Sequence, residues 1–273
     1  MQGCAAVPLN REMVKLRLDD LVADRTGITR SQARSLIMEG RVRVEGIVAS
    51  KPGQNVAPLA AIEIERPRRF VSRGGEKLEH ALAAFALDVT GTDALDVGAS
   101  TGGFTDCLLQ RGARSVTAVD VGYGQLDWRL RNDPRVSVLE RTNFRLLPDG
   151  AFPDGFDAIV IDASFISLRT ILKRAVAYLR EGGAIVALVK PQFEAGRERV
   201  GGGGVVRDPA THRAVLREVR RAAALLGLVA VGLTASPLRG PAGNREFLML
   251  LRCEGMALDD ARLDAVVDEG GES

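Results

Sequence analysis

A doubly wound α/β sheet behind a small N-terminal α+β module is the fold class this chain predicts, and three observations predict it. From residue 94 onward, short apolar runs alternate with stretches of helical spacing, the pattern of a largely parallel sheet covered on both faces. One run passes through an acid into a glycine-rich turn, Leu95-Asp96-Val97-Gly98-Ala99-Ser100-Thr101-Gly102-Gly103-Phe104-Thr105. A strand, a tight turn and a helix N-terminus in that order make a nucleoside-cofactor site. Before residue 65 the chain reads instead as a helix pair and short strands with outward arginines.

Composition bounds the possibilities. The 273 residues suffice for one large domain plus a small one, and hydrophobic residues make up 46%. Aromatics are only 4%, so the core must rest on Ala, Val, Leu and Ile. The net charge of +2 names no partner. Its distribution says more: the first third is rich in Arg and Lys, whereas residues 258–273 are acidic. That asymmetry fits a nucleic-acid-facing end and a solvated tail. Cys4, Cys107 and Cys253 have no metal-ligand spacing and read as reduced thiols, so no metal is expected. No apolar leader is visible at the N-terminus. The longest apolar stretch, residues 222–235, falls short of the ~20 residues that span a bilayer. A soluble, cytoplasmic protein with no membrane contact is the expectation. Nothing in the composition sets an oligomeric state.

The small domain is placed at residues 10–65. Leu16, Leu18, Leu21 and Val22 recur at helical spacing over residues 15–23. Thr29 and Gln32 form a T-x-x-Q capping box, and Gly40 sits where a glycine ends the second helix. Ala33, Leu36 and Ile37 then face inward while Arg30 and Arg34 face out. Val42-Arg43-Val44-Glu45-Gly46 alternates as a strand and turns, and residues 55–56 and 61–64 read as further short strands. The phrase Ser31-Gln32-Ala33-Arg34-x-Leu36-Ile37-x-x-Gly40-Arg41-Val42-x-Val44 resembles the S-four RNA-binding domain. Arg30, Arg34, Arg41, Arg43 and Lys51 would then reach the phosphates of folded RNA, with a solvated helix face as the competing reading. Arg68 and Arg69, in a basic linker at residues 66–71, and Arg73 just after it extend the set.

The large domain, residues 72–254, is entered from the linker through Val71-Ser72-Arg73-Gly74-Gly75-Glu76-Lys77-Leu78, which leads into a helix. Strands are predicted at 94–97, 115–119, 136–139, 158–161, 184–189, 228–234 and 247–251, with helices between most of them. The last two are joined by a non-helical loop, so they pair antiparallel. That arrangement is expected of methyltransferases and not of NAD-binding halves. Residues 201–204 are four glycines, a flexible loop or a lid.

The glycine turn leaves the cofactor open between two candidates. A dinucleotide fingerprint reads G-x-G-x-x-G and holds a pyrophosphate. Here Gly98-x-x-x-Gly102-Gly103 follows Asp96. A carboxylate there repels a pyrophosphate but suits the ammonium group of a methionine-like moiety, which favours S-adenosylmethionine over NAD. Asp120, ending the next strand, can take both hydroxyls of a ribose.

Ligands of such sheets lie outside the carboxyl ends of the strands. Asp96, Asp162 and Lys190 fall at or just past strand ends. A lysine delivered there either reaches solvent or is desolvated enough to accept a proton. Methyl transfer to a ribose hydroxyl needs such a base. A sulfonium leaving group then requires no metal and no covalent intermediate, only in-line alignment.

Five phrases, in this order, resemble the TlyA family of rRNA 2′-O-methyltransferases, also called haemolysin A, with an FtsJ-like domain behind an S-four domain. They are Ser72-Arg73-Gly74-Gly75-x-Lys77-Leu78, the 96–105 turn, Asp162-x-Ser164-Phe165-Ile166-Ser167-Leu168, Val189-Lys190-Pro191-Gln192-Phe193-Glu194 and Asn244-Arg245-Glu246. The resemblance implies a catalytic tetrad of Lys77, Asp162, Lys190 and Glu246. Lys190 would be the base, Asp162 and Glu246 would orient, and Lys77 would tune charge or grip the ribose. It implies cofactor contacts from Asp96, Gly98, Ala99, Ser100, Thr101, Gly102, Gly103, Asp120 and Val121. The implied substrate is a cytidine 2′-hydroxyl in ribosomal RNA, met as free rRNA or in ribosomal subunits. One departure is Arg69-Phe70 where the family often carries Trp or Tyr. Residues 255–273 look like an acidic tail dispensable for the chemistry. Without the resemblance, Lys77 reads as a surface lysine and Glu246 as a strand-edge charge. Two other classes compete. A membrane-acting cytolysin needs a spanning or strongly amphipathic basic segment, and neither is visible. An RNA-binding protein with a decayed catalytic domain would not be expected to keep the turn and both lysines.

Overall fold

The computed structural model describes residues 15–65 and 69–269. Contacts divide the chain into two units, Met1–Arg68 and Arg69–Ser273. The first unit runs β1 (Leu16–Arg17), α1 (Leu18–Thr26), α2 (Arg30–Met38), β2 (Val42–Val44), β3 (Ile47–Val48), β4 (Asn55–Val56) and β5 (Ile62–Ile64). Strand β2 is central in a three-stranded sheet, and β1 pairs with β4. Leu18, Val22, Ala33, Ile37 and Val42 form a fully buried core. The capping box of α2 is present in both directions between Thr29 and Gln32. Helix α1 begins later than its apolar spacing suggests. Arg17 is extended, at φ −68° and ψ 138°, and its guanidinium turns back in a fork onto the Asp19 carboxylate at 3.0 and 2.8 Å.

The second unit runs α3 (Gly74–Ala84), β6 (Asp93–Val97), α4 (Gly103–Gln110), β7 (Ser115–Val119), α5 (Trp128–Arg131), β8 (Val136–Leu139) and β9 (Phe156–Ile161). It continues with α6 (Leu168–Ala175), β10 (Leu179–Val189), α7 (Pro191–Glu194), α8 (Pro209–Ala224), β11 (Val229–Ala235), β12 (Phe247–Arg252) and α9 (Asp260–Asp268). The seven strands lie in the order β11-β12-β10-β9-β6-β7-β8. All neighbours pair parallel except those of β12, which is antiparallel to both β10 and β11. Apolar side chains cover both faces, in one cluster around Leu95, Ile159 and Ile185 and another around Leu108, Val160 and Leu248. The predicted strands are all present. Strand β10 starts at Leu179, ahead of its predicted start, because the ladder to β9 continues across a register shift between Leu179 and Ala184.

Two features place the functional groups. Helix α4 carries the chain from β6 to β7, whereas β9 lies on the other side of β6. This is the switch point at which such sheets open a crevice. Helices α3 and α4 meet through glycine. A Cβ on Gly103 would lie 2.3 Å from Ser72 Oγ and 2.8 Å from the Gly75 nitrogen, so only glycine lets the two helix N-termini come this close.

The acidic C-terminal stretch differs from the solvated tail expected of it. Helix α9 packs on α8 with Leu263 and Val267 buried. Its acids face the arginines of α8, with Arg217–Asp264 at 2.7 Å and Arg220–Asp260 at 2.5 Å. Leu263→Ala should therefore cost about 2–5 kcal/mol of stability, read from urea denaturation of the full chain by far-ultraviolet circular dichroism. A solvated tail would leave the midpoint unmoved.

Candidate active site

Four charged side chains meet as two ion pairs at the carboxyl edge of the sheet. Lys190 follows β10, Asp162 follows β9, and Lys190 Nζ lies 2.6 Å from Asp162 Oδ1 in an ion pair without hydrogen-bond alignment. The same Nζ donates to Ser164 Oγ at 2.7 Å and sits 5.9 Å from the Phe193 ring centroid. Phe165 contacts that ring at 5.2 Å. Its own ring is exposed and its backbone is left-handed, at φ +63°.

The second pair joins distant parts of the chain. Lys77, in the first turns of α3, donates to Glu246 Oε2 at 2.5 Å, and the two are only 8% and 1% exposed. Glu246 precedes β12. That strand is antiparallel to β10 with Val189 opposite Phe247, so the register continued by one residue sets Glu246 opposite Lys190. Gly240 leaves room for the other Glu246 oxygen, because a Cβ there would come within 2.6 Å of Oε1.

A cavity of about 480 Å³ opens at the switch point. Gly98, Ser100, Asp120, Val121, Asn143, Phe144, Asp162 and Ser164 are among its lining residues. Gly98 is left-handed, at φ +87°, and a Cβ would fall 2.7 Å from the Asp162 carbonyl oxygen. The β6 and β9 loops therefore touch backbone to backbone. Asp120 is preset by two backbone donors, Ser100 N at 2.8 Å and Gly122 N at 2.6 Å, with lone pairs left for a ligand.

Asp96, on β6 two residues before Gly98, is fully buried and is not among the residues that line this cavity. Its Oδ2 accepts from Thr105 Oγ1 at 2.7 Å, while Oδ1 has no partner. Burial raises its carboxyl to about 7 against the Thr105 bond, and the charges of Asp162 and Asp120 add to the rise. Asp120, preset on the cavity wall, fits the ribose end of S-adenosylmethionine, and the unpartnered buried oxygen of Asp96, just ahead of the glycine turn, suits its ammonium end. Of the other proposed contacts, Ala99 is buried, Thr101 is exposed, and neither lines the cavity. Gly102 and Gly103 have packing roles: a Cβ on Gly102 would meet Leu130 at 2.3 Å, and Gly103 meets Ser72 and Gly75.

Three contributors were not singled out from the sequence: Thr105, Ser164 as a partner of Lys190, and Glu194. Glu194 is buried and accepts from Leu168 N at 2.5 Å and Ser167 Oγ at 2.7 Å. Burial pushes its carboxyl up. It caps α6 and ties α7 to the loop carrying Asp162 and Ser164. The only advance signal for Glu194 was its place at the end of the Lys-Pro-Gln-Phe-Glu phrase. The glycine loop at 201–204 is anchored at its end by buried Asn244, which donates to Gly204 O at 2.8 Å and accepts from Val206 N at 2.9 Å.

The basic residues proposed for RNA divide by what they already hold. Arg30 pairs with Asp19 and Asp20, Arg41 with Glu39, and Arg69 with Glu79. Arg43 donates to the Gly46 carbonyl. Arg34, Lys51 and Arg73 are exposed without an ion pair among the described residues. Arg68 and Cys4 lie outside the described residues. Among those residues no group of three or more His, Cys, Asp or Glu could hold a metal ion, and no helix is long and apolar enough to cross a membrane.

The sequence matches the family model of FtsJ-like methyltransferases over residues 70–253 and that of the S4 domain over residues 16–58. It is 51% identical over 234 residues to the 16S/23S rRNA (cytidine-2′-O)-methyltransferase TlyA of Mycobacterium tuberculosis, covering 84% of this chain and 87% of that one. It is 39% identical over 236 residues to Hemolysin A of Brachyspira hyodysenteriae, covering 85% and 98%. A solved structure from Streptococcus thermophilus aligns with a TM-score of 0.72 at 43% identity, covering 94% of this chain and 96% of that one.

The buried Asp96 makes a pH prediction. Its carboxyl holds a proton more tightly folded than unfolded. The stability it contributes is complete below the unfolded value and is lost as pH rises through about 7. Asp96→Asn should therefore leave stability near wild type at pH 4 and raise it at pH 8, by up to the order of 4 kcal/mol. Denaturant midpoints at the two pH values measure this. An equal effect at both would show that Asp96 ionises freely in the fold.

Proposed function

The chain belongs to the FtsJ-like methyltransferase family, in its TlyA branch, and on that premise we propose that it methylates a cytidine ribose 2′-hydroxyl in ribosomal RNA with S-adenosylmethionine as donor. The observation that carries this reading is Lys190, held by Asp162 and Ser164, two residues that line the switch-point cavity. When bound, S-adenosylmethionine supplies a methyl group on a sulfonium, which leaves as a neutral thioether. Gly98, Ser100, Asp96 and Asp120 would hold it, the last through ribose hydroxyls.

Lys190, its ammonium proton first given up to solvent, takes the proton of the 2′-hydroxyl as a neutral amine while the oxygen attacks. The Asp162 carboxylate, 2.6 Å from Nζ, steadies the ammonium that forms. Ser164 and Asp162 between them occupy two directions around Nζ and leave another for the incoming hydroxyl. Lys77 and Glu246 form a second pair on β12's side of Lys190, where Lys77 places positive charge for the ribose and Glu246 fixes its position. The S4 domain supplies the RNA contact, with Arg34 and Lys51 as exposed cations, and Arg73 adds a cation at the start of α3. A ribosomal substrate places the protein in the cytoplasm. Membrane lysis, the reading that the name of the Brachyspira relative suggests, has no helix of spanning length to support it among the described residues.

Lys190→Ala should fold and bind S-adenosylmethionine within about threefold of wild type by calorimetry, yet lose on the order of 10²–10⁴ in methyl transfer to rRNA. An active Lys190→Ala enzyme removes Lys190 as the base. Mapping 2′-O-methylation in rRNA from cells with and without the gene identifies the nucleotide. No difference between the two maps, together with dye release from liposomes by nuclease-treated protein, would replace the methyltransferase reading with the lytic one.

A further inference from the structure

Arg245 stands between two residues whose side chains matter and belongs to neither charged pair. It donates from Nη2 to the Val266 carbonyl at 2.7 Å and from Nη1 to the Val267 carbonyl. Both carbonyls lie in the last turn of α9, where a helix leaves acceptors without intrahelical partners. A cation at that end also meets the negative pole of the helix. The guanidinium covers the Phe247 ring at 5.0 Å. Two of its five N–H donors are thus committed to α9, which ties the side chain to that helix.

The other end of this linkage is α8. Asp264 of α9 meets Arg213 at 3.5 Å and Arg217 at 2.7 Å, and Asp260 meets Arg220 at 2.5 Å. Leu263 and Val267 bury the inner face of α9. Arg245 is therefore held by a helix that is itself locked down. Holding Arg245 fixes the peptide units on both sides of it. One side carries Asn244, the anchor of the glycine loop. The other carries Glu246, the partner of Lys77.

We propose that Arg245 is a positioning residue that transmits the anchorage of α9 to the Lys77–Glu246 pair, making the C-terminal helix an integral part of the methyl-transfer machinery. The proposal rests on the reading of that pair as part of the site. It reverses the expectation that residues 255–273 are dispensable for the chemistry.

The test uses full-length protein carrying Arg245→Met or Arg245→Lys, and a chain truncated after Glu254. The readouts are kcat and KM with rRNA, calorimetric affinity for S-adenosylmethionine, thermal midpoint, and the position of Glu246 in crystals of Arg245→Met. Arg245→Met, similar in length but without donors, should lower kcat at least about tenfold while cofactor affinity and KM stay within about twofold. Arg245→Lys, which still reaches a carbonyl, should recover most of the loss. Glu246 should be displaced from Lys77 in the Met variant, and the truncated chain should show the same kcat defect. If the truncated chain does not fold, the Met and Lys variants decide. A folded Arg245→Met enzyme with wild-type kcat overturns the proposal. So does an undisplaced Glu246, or a kcat loss that lysine fails to rescue and that only follows the folded fraction. Wild-type protein that transfers no methyl to rRNA defeats the assigned function instead, and the crystallographic readout then still decides whether α9 sets Glu246.

Discussion

Two lysines are largely withdrawn from water at the carboxyl edge of the sheet, and a charge so placed is tolerable only beside an opposite one. Each acid must therefore arrive from elsewhere in the chain at hydrogen-bonding distance. Asp162 reaches Lys190 from the neighbouring strand. Glu246 reaches Lys77 because β12 runs backwards. Had that strand been parallel to β10, the residue preceding it would sit at the opposite edge, far from the cavity. The reversed strand, the glycine contact that brings α3 against α4 and the Gly240 turn around Glu246 all meet one demand. Four charges have to be gathered where solvent is scarce.

What could be read in advance was local. An apolar run followed by a polar residue locates a strand end, so Asp96, Asp120, Asp162 and Lys190 were visible, and the bounds of β7 and β8 came out as expected. The capping box of α2 was equally local. Lys77 and Glu246 were not legible from the residues alone. Their partnership spans 169 positions, and neither has an unusual neighbourhood in the chain. The resemblance supplied them. The C-terminal helix was missed for a related reason. Its Leu263 and Val267 have helical spacing, but its acids looked like solvated charge. Their partners, Arg213, Arg217 and Arg220, form a stripe on another helix, and nothing in a linear reading lays one stripe against the other.

The N-terminal unit makes the same point about charge. Asp19 is fully buried. Hydrogen bonds from Arg17, then Arg30, hold its carboxyl down at about 2 against the cost of burial. These two arginines are committed to holding α1 and α2 in place before any RNA arrives. Sequence shows the sign of a charge but not whether it is already spoken for. The basic face of this unit is consequently narrower than its arginine count suggests, and Arg34 and Lys51 carry more of it than their neighbours.

The span between Lys77 and Glu246 also bears on how the protein is built. Closing a loop of that length is entropically costly, and contacts so far apart in sequence form slowly. The energy that offsets the closure comes from β12 entering between β10 and β11, which requires most of the sheet to exist already. Until then Lys77 has no acid beside it and the site is incomplete. If that pair serves methyl transfer as proposed, partly folded forms of the second unit lack part of the site, and activity regained during refolding would follow insertion of the reversed strand.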